Sequence, residues 1–197
     1  DTTRHLLVHV RDYTKGHPRI EANNHPIRHG AIVGVHNGLI VNDEEIFDSR
    51  GFDRAHPEMT VDSEAIFALL NDSPGPETLE ELYGAMATAW IDERRPSELF
   101  LARGVGRPLW LGQGRDETFF ASTKHTLELV ERYLHLRLSK REVPEGSYVT
   151  LRADGDVQWS SFRPEQYVEE KPLPAVRAPE ERESCLRLLP SAVAGFV

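Results

Sequence analysis

The stretch Val35–Asn42, VHNGLIVN, joins a hydrophobic run directly to an Asn-Gly pair. The preceding run Ala31–His36 has the apolar density of a buried strand. Asn37 and Gly38 both tolerate a positive φ, so the pair predicts a turn at the end of that strand. An Asn amide and a Gly N–H on a rigid turn can point at one place, as the donors of an oxyanion hole must. The same pair also fits a plain hairpin turn.

The segments on either side of this stretch predict an α+β protein. Upstream, Arg4–Arg11 has the pattern of a buried strand, and Asp12–Gly30 that of a long, specialised loop. Downstream, helical patterns inserted between two groups of short strands favour layered antiparallel sheets with helices outside. The predicted helices are Asn42–Ser49, Ala65–Leu70, Glu77–Tyr83 and Thr123–Tyr133, and the predicted strands are Ala85–Ile91, Leu99–Ala102, Leu109–Leu111, Thr118–Ala121, Ser147–Arg152 and Val157–Ser160.

Two further polar positions are candidates for substrate binding. Asp62 precedes a predicted helix, where its carboxylate can bind an ammonium group or simply cap the helix, as Ser63 can. Arg11, with Thr14 close by, ends the first predicted strand, and its guanidinium can hold a carboxylate through two hydrogen bonds. An arginine at this place also fits an ordinary surface position.

Four histidines fall within twenty residues and raise the question of a metal site. They are His17, His25, His29 and His36. Their spacing does not match a zinc pattern, and no cysteine lies near them. We therefore expect no metal and no cofactor.

Composition narrows the class of protein. The chain has 197 residues, a net charge of −9 and a single cysteine, Cys185. An acidic surface disfavours binding to nucleic acid or anionic lipid. The apolar runs are too short to cross a bilayer. One cysteine permits no disulfide within the chain, so a cytoplasmic protein is expected.

Taken together, the motifs resemble those of class II glutamine amidotransferases. The stretches His9–Gly16 and Asn23–Pro26 resemble the family's His-Thr-Arg-Trp-Ala-Thr-His-Gly and Asn-Ala-His-Pro. Val35–Asn42 resembles Val-His-Asn-Gly-Ile-Ile-Glu-Asn, and Val61–Glu64 resembles Thr-Asp-Ser/Thr-Glu. The order and intervals agree, and the likeness runs from about residue 4 to residue 155. It includes the later stretches Leu82–Ala85, Leu101–Arg103, Arg107–Leu109, Phe120–Thr123 and Val143–Gly146.

The resemblance implies an N-terminal-nucleophile hydrolase fold, an αββα sandwich of two antiparallel sheets. It also implies hydrolysis of glutamine to glutamate, with ammonia passed to an acceptor. By motif position, Asn37 and Gly38 would form the oxyanion hole. The other implied residues would bind glutamine: Arg11 its α-carboxylate, Asp62 its α-amine, and Thr14, His25 and His36 the rest of the pocket.

The family's nucleophile is a cysteine at the mature N-terminus, and its own α-amino group is the base. By motif position this cysteine would precede Asp1, and Cys185 cannot replace it. Either an upstream segment carries the cysteine and the first strands, or the protein is a degenerate relative without catalysis. We favour the first, because the binding residues are intact and a sheet without its first strands would expose unpaired edges. Lys15 and Asp12 depart from the family's His and Trp, which puts details of the pocket in question.

We therefore predict two regions and one leading function. Residues 1–162 form an N-terminally incomplete amidotransferase-like domain, and residues 163–197, rich in Pro, Glu and Arg, form a C-terminal extension. The leading function is glutamine hydrolysis for a separate acceptor or synthase subunit, and a homo-oligomer stays open. The alternatives are a catalytically inactive scaffold or interaction protein and, third, a His-dependent metal hydrolase.

Overall fold

The computed structural model describes residues 5–10 and 14–169. Three α-helices and nine strands make up this part, with two 3₁₀ turns at Glu21–Asn23 and Glu77–Glu81. The helices are α1 (Asp43–Arg50), α2 (Glu64–Asp72) and α3 (Lys124–Leu134). The strands are β1 (Ile27–His29), β2 (Ile32–Ile40), β3 (Gly84–Asp92), β4 (Glu98–Arg103), β5 (Trp110–Gln113), β6 (Thr118–Ala121), β7 (Ser139–Glu142), β8 (Ser147–Arg152) and β9 (Val157–Ser161).

The strands form two antiparallel sheets. The larger has the order β1-β2-β3-β4-β8-β9, and the smaller has the order β6-β5-β7. Because side chains alternate across a strand, each central strand of the larger sheet supplies both of its faces. Ile40, Met86 and Phe100 face a core shared with α1 and α2. Val35 and Leu101 face a second core shared with the smaller sheet.

The smaller sheet is covered on its other side by α3. Leu127 and Val130 of this helix are buried and pack with Trp110 and Phe119. The side-chain hydroxyl of Thr123 caps the helix by accepting a hydrogen bond from the N–H of Thr126 at 3.2 Å. The layers therefore run helix, sheet, sheet, helix, which confirms the α+β sandwich predicted from the sequence.

The predicted turn at Asn37-Gly38 is wrong. Both residues lie inside β2, which pairs with β3 without interruption from Ile32↔Asp92 to Ile40↔Gly84. Gly38 has a φ of 147°, and a Cβ atom there would lie 1.8 Å from the carbonyl oxygen of Ala85. The glycine is required by close backbone approach between neighbouring strands, which a local dipeptide pattern does not distinguish from a turn.

The segment before the first strand also differs from the prediction. Residues 5–10, expected to be part of a buried strand, are extended but pair with no described strand. Their exposure alternates: Leu6 and Val8 are exposed, whereas Leu7 packs against the core between the sheets. The predicted helix at Glu77–Tyr83 is a 3₁₀ turn that ends at Glu81.

Residues 162–169 fold back onto the domain. Phe162 is buried in the core beneath α2, and the N–H of Arg163 donates to a carboxylate oxygen of Glu80 at 2.7 Å. Arg107 and Glu169 form a largely buried ion pair with an N–O distance of 2.6 Å. The boundary after residue 162 stays a prediction, and residues 170–197, including Cys185, lie outside the described residues.

None of the helices in the described part of the chain is both long enough and apolar enough to span a bilayer.

Candidate functional site

One hydrogen-bonding edge of the second half of β2 has no partner strand among the described residues. Met86, opposite Gly38, donates its N–H to the carbonyl of Val105 and accepts from the N–H of Gly104, so its backbone groups point away from β2. Gly38 and Met86 are therefore a pair without mutual hydrogen bonds, and the N–H of Gly38 points away from β3. On that side β1 reaches only as far as Gly34. Within the described residues, no strand pairs with β2 there beyond Gly34.

Asn37 and His36 point to opposite faces of the sheet, as alternation along a strand requires. The Asn37 amide lies on the side of the smaller sheet and donates through Nδ2 to Ser122 Oγ at 3.3 Å. Ser122 lies between β6 and α3, and we did not predict it as a site residue. The contact fixes the side-chain amide of the residue that precedes Gly38.

His36 is buried on the other face, with both ring nitrogens bonded inside the protein. Nε2 lies 3.2 Å from the carbonyl oxygen of Ala85, which can only accept, so Nε2 carries the proton. Nδ1 lies 2.9 Å from Ser63 Oγ and accepts from it. Burial lowers the pKa of His36 to about 4, the Ala85 bond opposes this, and the charge of Arg107 adds to the lowering. His36 is therefore a neutral ring that is bonded within the protein, on the face of β2 opposite the Asn37 side chain.

We predict that His36 stays neutral, with its proton on Nε2, down to about pH 4. A lowered pKa means that His36 binds a second proton, on Nδ1, less tightly in the folded protein than in the unfolded chain. The stability that comes from the neutral ring is therefore complete above about pH 6.5 and is lost as the pH falls towards 4. Nitrogen-15 NMR of the imidazoles, with the signal assigned by its loss in His36→Gln, measures both features. Titration of this ring near pH 6.5 would contradict the assignment.

Asp62 is buried at the end of the same free edge. Its Oδ2 accepts a hydrogen bond from the N–H of Ile40 at 2.7 Å. The N–H groups of Ile40 and Gly38 point to the same side, because they lie two residues apart on one strand. Burial raises the pKa of Asp62 to about 6, in spite of the Ile40 bond, and the negative charge of Asp43 raises it further. The side chain does not cap α2, because the N-cap is Ser63, without a side-chain bond.

The two neighbouring buried acids differ from Asp62 because they have cationic partners. Asp43 pairs with Lys15 at 2.8 Å and with Arg54 at 3.2 Å. Glu64 pairs with the same arginine at 3.2 Å and lies 2.9 Å from His29 Nδ1. Asp62 has no ion pair with any residue in the described ranges. Burying a carboxylate without a cationic partner is costly.

A loop that starts at Thr14 packs against the segment leading to Asp62. Thr14 itself is exposed. The buried side chain of Asn23 accepts from the N–H groups of Thr60 and Val61 at 2.8 and 3.1 Å. His25 is half-buried, and its ring lies 4.3 Å from that of His9. Arg11 falls outside the described residues, so its predicted role in binding the α-carboxylate stays a prediction.

Several residues that position the site were not predicted from the sequence. Asn23 lies in a recognised motif but was not given a role, and Lys15 was noted only as a departure from the family. Asp43, Arg54 and Glu64 were not singled out. Glu64 lies in the same motif as Asp62, and this shared motif could have indicated that Glu64 also contributes to the site.

The described residues contain no group of three or more His, Cys, Asp or Glu side chains arranged to hold a metal ion. Their arrangement offers instead two hydrogen-bond donors at a strand edge, the Asn37 amide and the Gly38 N–H, and one carboxylate at Asp62. Donors of this kind can stabilise an oxyanion, and a carboxylate can bind an ammonium group.

Comparison with known proteins identifies the family. A family model described as a glutamine amidotransferase domain matches residues 15–128, more than half of the chain. The glutamine–fructose-6-phosphate aminotransferase (isomerizing) of Vibrio vulnificus is 33% identical over 156 residues, 70% of this chain and 25% of the relative. The Yersinia pseudotuberculosis enzyme of that name is 39% identical over 138 residues, 64% of this chain and 22% of the relative. The chain thus spans about a quarter of the length of these relatives.

Two solved structures share the fold. The glutamine phosphoribosylpyrophosphate amidotransferase of B. subtilis aligns with a TM-score of 0.58 and 21% identity, over 78% of this chain and 34% of the other. A structure described as the allosteric regulatory enzyme of purine biosynthesis aligns with a TM-score of 0.54 and 21% identity, over 66% of this chain and 28% of the other. Both support the N-terminal-nucleophile type of sandwich. With the family model matched over most of the sandwich, the chain belongs to the glutamine amidotransferase domain family.

Proposed function

We propose that this domain binds glutamine and hydrolyses its side-chain amide to glutamate and ammonia. One observation carries the proposal. Asp62, a buried carboxylate without an ion pair among the described residues, lies at the strand edge to which the N–H of Gly38 also points. An amino acid with a cationic α-amine at one end and a reacting amide at the other fits these two groups.

The binding roles follow from chemistry and position. Asp62 pairs with the α-ammonium group, and Arg11 binds the α-carboxylate. Thr14 and His25 line the pocket at the loop that packs against Val61. His36 acts from behind the strand as a positioning residue, because both of its ring nitrogens are engaged inside the protein.

The reaction needs a nucleophile on the free side of β2. By family resemblance this is the thiol of an N-terminal cysteine upstream of Asp1, and its own α-amino group takes the thiol proton. Attack on the amide carbon forms a C–S bond and places negative charge on the oxygen, where the Asn37 amide and the Gly38 N–H donate hydrogen bonds. The protonated α-amino group then gives this proton to the amide nitrogen, and collapse breaks the C–N bond and releases ammonia. Water then hydrolyses the thioester to glutamate.

Ammonia acceptors belong to a part of the assembly beyond this domain. The relatives whose names include an acceptor are about four times as long as the matched region. We therefore propose that the acceptor site lies in a separate domain or subunit, with the soluble, cytoplasmic setting expected from composition.

The test is release of glutamate from glutamine by the protein at its natural full length. We expect turnover by the wild type, and a fall in kcat of about a hundredfold or more in Asn37→Ala, because one oxyanion donor is lost. The matched control is Gln113→Ala, which removes an exposed amide at the end of β5 and should leave kcat unchanged. Equal kcat values for Asn37→Ala and the wild type would exclude the oxyanion role.

A wild-type protein that binds glutamine but never releases glutamate would favour the scaffold alternative. Failure to bind glutamine at all would remove the proposal as a whole. Titration calorimetry with glutamine separates these two outcomes.

A further inference from the structure

The loop after Thr14 is tethered at two points of different chemistry. At its far end, Asn23 is fully buried and hydrogen-bonded to Thr60 and Val61. At its near end, the Lys15 ammonium binds both carboxylate oxygens of Asp43 at 2.8 Å and Glu44 at 2.9 Å. The near end carries Thr14, and this ionic contact joins it to the N-terminus of α1.

The acceptor of this ionic contact is itself rigid. The carboxylate of Asp43 is 1% exposed and lies at the N-terminus of α1, where a helix favours negative charge. Arg54 binds the same carboxylate at 3.2 Å and reaches Glu64 at 3.2 Å and the carbonyl of Val61 at 3.0 Å. The network therefore joins the loop to the residues on both sides of Asp62.

We propose that Lys15 is a positioning residue. It holds the loop from Thr14 to Asn24 in a fixed position relative to Asp62, and so sets the affinity for glutamine. The proposal rests on the proposed function and extends it. Lys15 acts through the loop and has no part in bond making or breaking. Its loss should weaken glutamine binding without slowing the chemical step.

Lys15 is well suited to a test, because its side chain is about one-third exposed and can be replaced without opening the core. In Lys15→Met, Asp43 keeps Arg54 as its partner, so α1 and α2 should stay folded. The matched control is Arg28→Met. It removes a different ion pair, the surface pair of Arg28 in β1 with Glu93.

The first measurement is hydrogen exchange of the full-length protein without glutamine. The amides of Arg19 and Ile20 donate hydrogen bonds to His17, two residues after Lys15, and report the order of the near end of the loop. In Lys15→Met we expect exchange of this loop at least about tenfold faster, with other regions unchanged. Lys15→Arg, which keeps the charge, should restore the wild-type rate, and Arg28→Met should not alter it. Equal loop exchange in Lys15→Met and the wild type would overturn the tether.

The second measurement is steady-state glutaminase activity of the same proteins. We expect a KM for glutamine at least about tenfold higher in Lys15→Met, with kcat within about twofold of the wild type, since uniform binding is lost. An unchanged KM, or a fall in kcat alone, would overturn the positioning role. If the wild type itself hydrolyses no glutamine, the proposed function fails, while hydrogen exchange still decides the tether.

Discussion

Asp62→Asn is expected to lose glutamine binding and at the same time to gain stability. The buried carboxylate has no ion pair among the described residues, and the ligand's ammonium group would be its partner. Removing one member of a buried ion pair costs about 3–5 kcal/mol, so KM for glutamine should rise at least about a hundredfold. The Asn side chain still accepts the hydrogen bond from Ile40, so the strand edge should keep its shape.

The gain in stability follows from the raised pKa of Asp62. A carboxyl group whose pKa rises from 3.8 to about 6 on folding binds its proton more tightly in the folded state. At about pH 8 the charged side chain therefore weakens the fold by roughly 3 kcal/mol, at 1.4 kcal/mol per unit. Asn removes this cost at about pH 8. Below about pH 4 the Asp is protonated in both states, so there the two proteins should be equally stable.

Urea denaturation at the two pH values, together with glutamine kinetics, measures this prediction. The matched control is Asp43→Asn, since this side chain is equally buried but paired with Lys15 and Arg54. It should destabilise the protein at neutral pH, because two cations lose their partner. A variant Asp62→Asn that is less stable at about pH 8, or that keeps the wild-type KM, would show that Asp62 is a structural acid.

Gly38→Ala is expected to lower the free energy of unfolding more than the addition of a methyl group at any other position of the site. Its Cβ would lie 1.8 Å from the carbonyl oxygen of Ala85 and 2.7 Å from His36 Nε2. Both neighbours are fixed, the first by strand pairing and the second by its own hydrogen bonds. Overpacking of this kind, with an unfavourable φ, should cost about 3 kcal/mol or more. The displaced edge should also abolish turnover.

The control for backbone conformation is Gly51→Ala. Gly51 ends α1 with a φ of 63°, and a Cβ there would meet nothing within 4 Å. It should cost only about 1 kcal/mol, from the left-handed backbone alone. The free energies of unfolding of both variants, from urea titration, give the comparison. If Gly38→Ala were as mild as Gly51→Ala, the close approach of β2 and β3 would not control the geometry of the oxyanion hole.

The elements that the sequence predicts well are those with a strong local pattern. β6 and β8 begin and end where predicted, and α1 and α3 are displaced by a single residue at each end. β1 and β7 were missed. β1 has three residues, and β7, Ser139–Glu142, has only polar ones, so neither has an apolar alternation to detect. Their pairing depends on partners distant in the chain.

The sequence motifs identified residues of the site, but they did not predict the local conformation or the contacts of those residues. Asn37 and Gly38 were identified as a pair, but a dipeptide contains no information on the opposite strand, and β3 lies about fifty residues further on. The charge network was missed for the same reason. Lys15 and Asp43 are 28 residues apart, and only the packing of the loop on α1 brings them together. His36 has the polarity of a pocket residue, yet its neighbours on the folded sheet enclose it completely.

The central claim, that the free edge of β2 is a glutaminase site completed by an N-terminal cysteine, is tested most directly by covalent labelling. The full-length protein would be treated with a diazoketone analogue of glutamine, and its intact mass and labelled peptide would be determined. We predict one adduct on an N-terminal cysteine, formed equally in Cys185→Ser, protected by glutamine and strongly reduced in Asp62→Asn. No adduct, or one on Cys185 alone, would contradict the account.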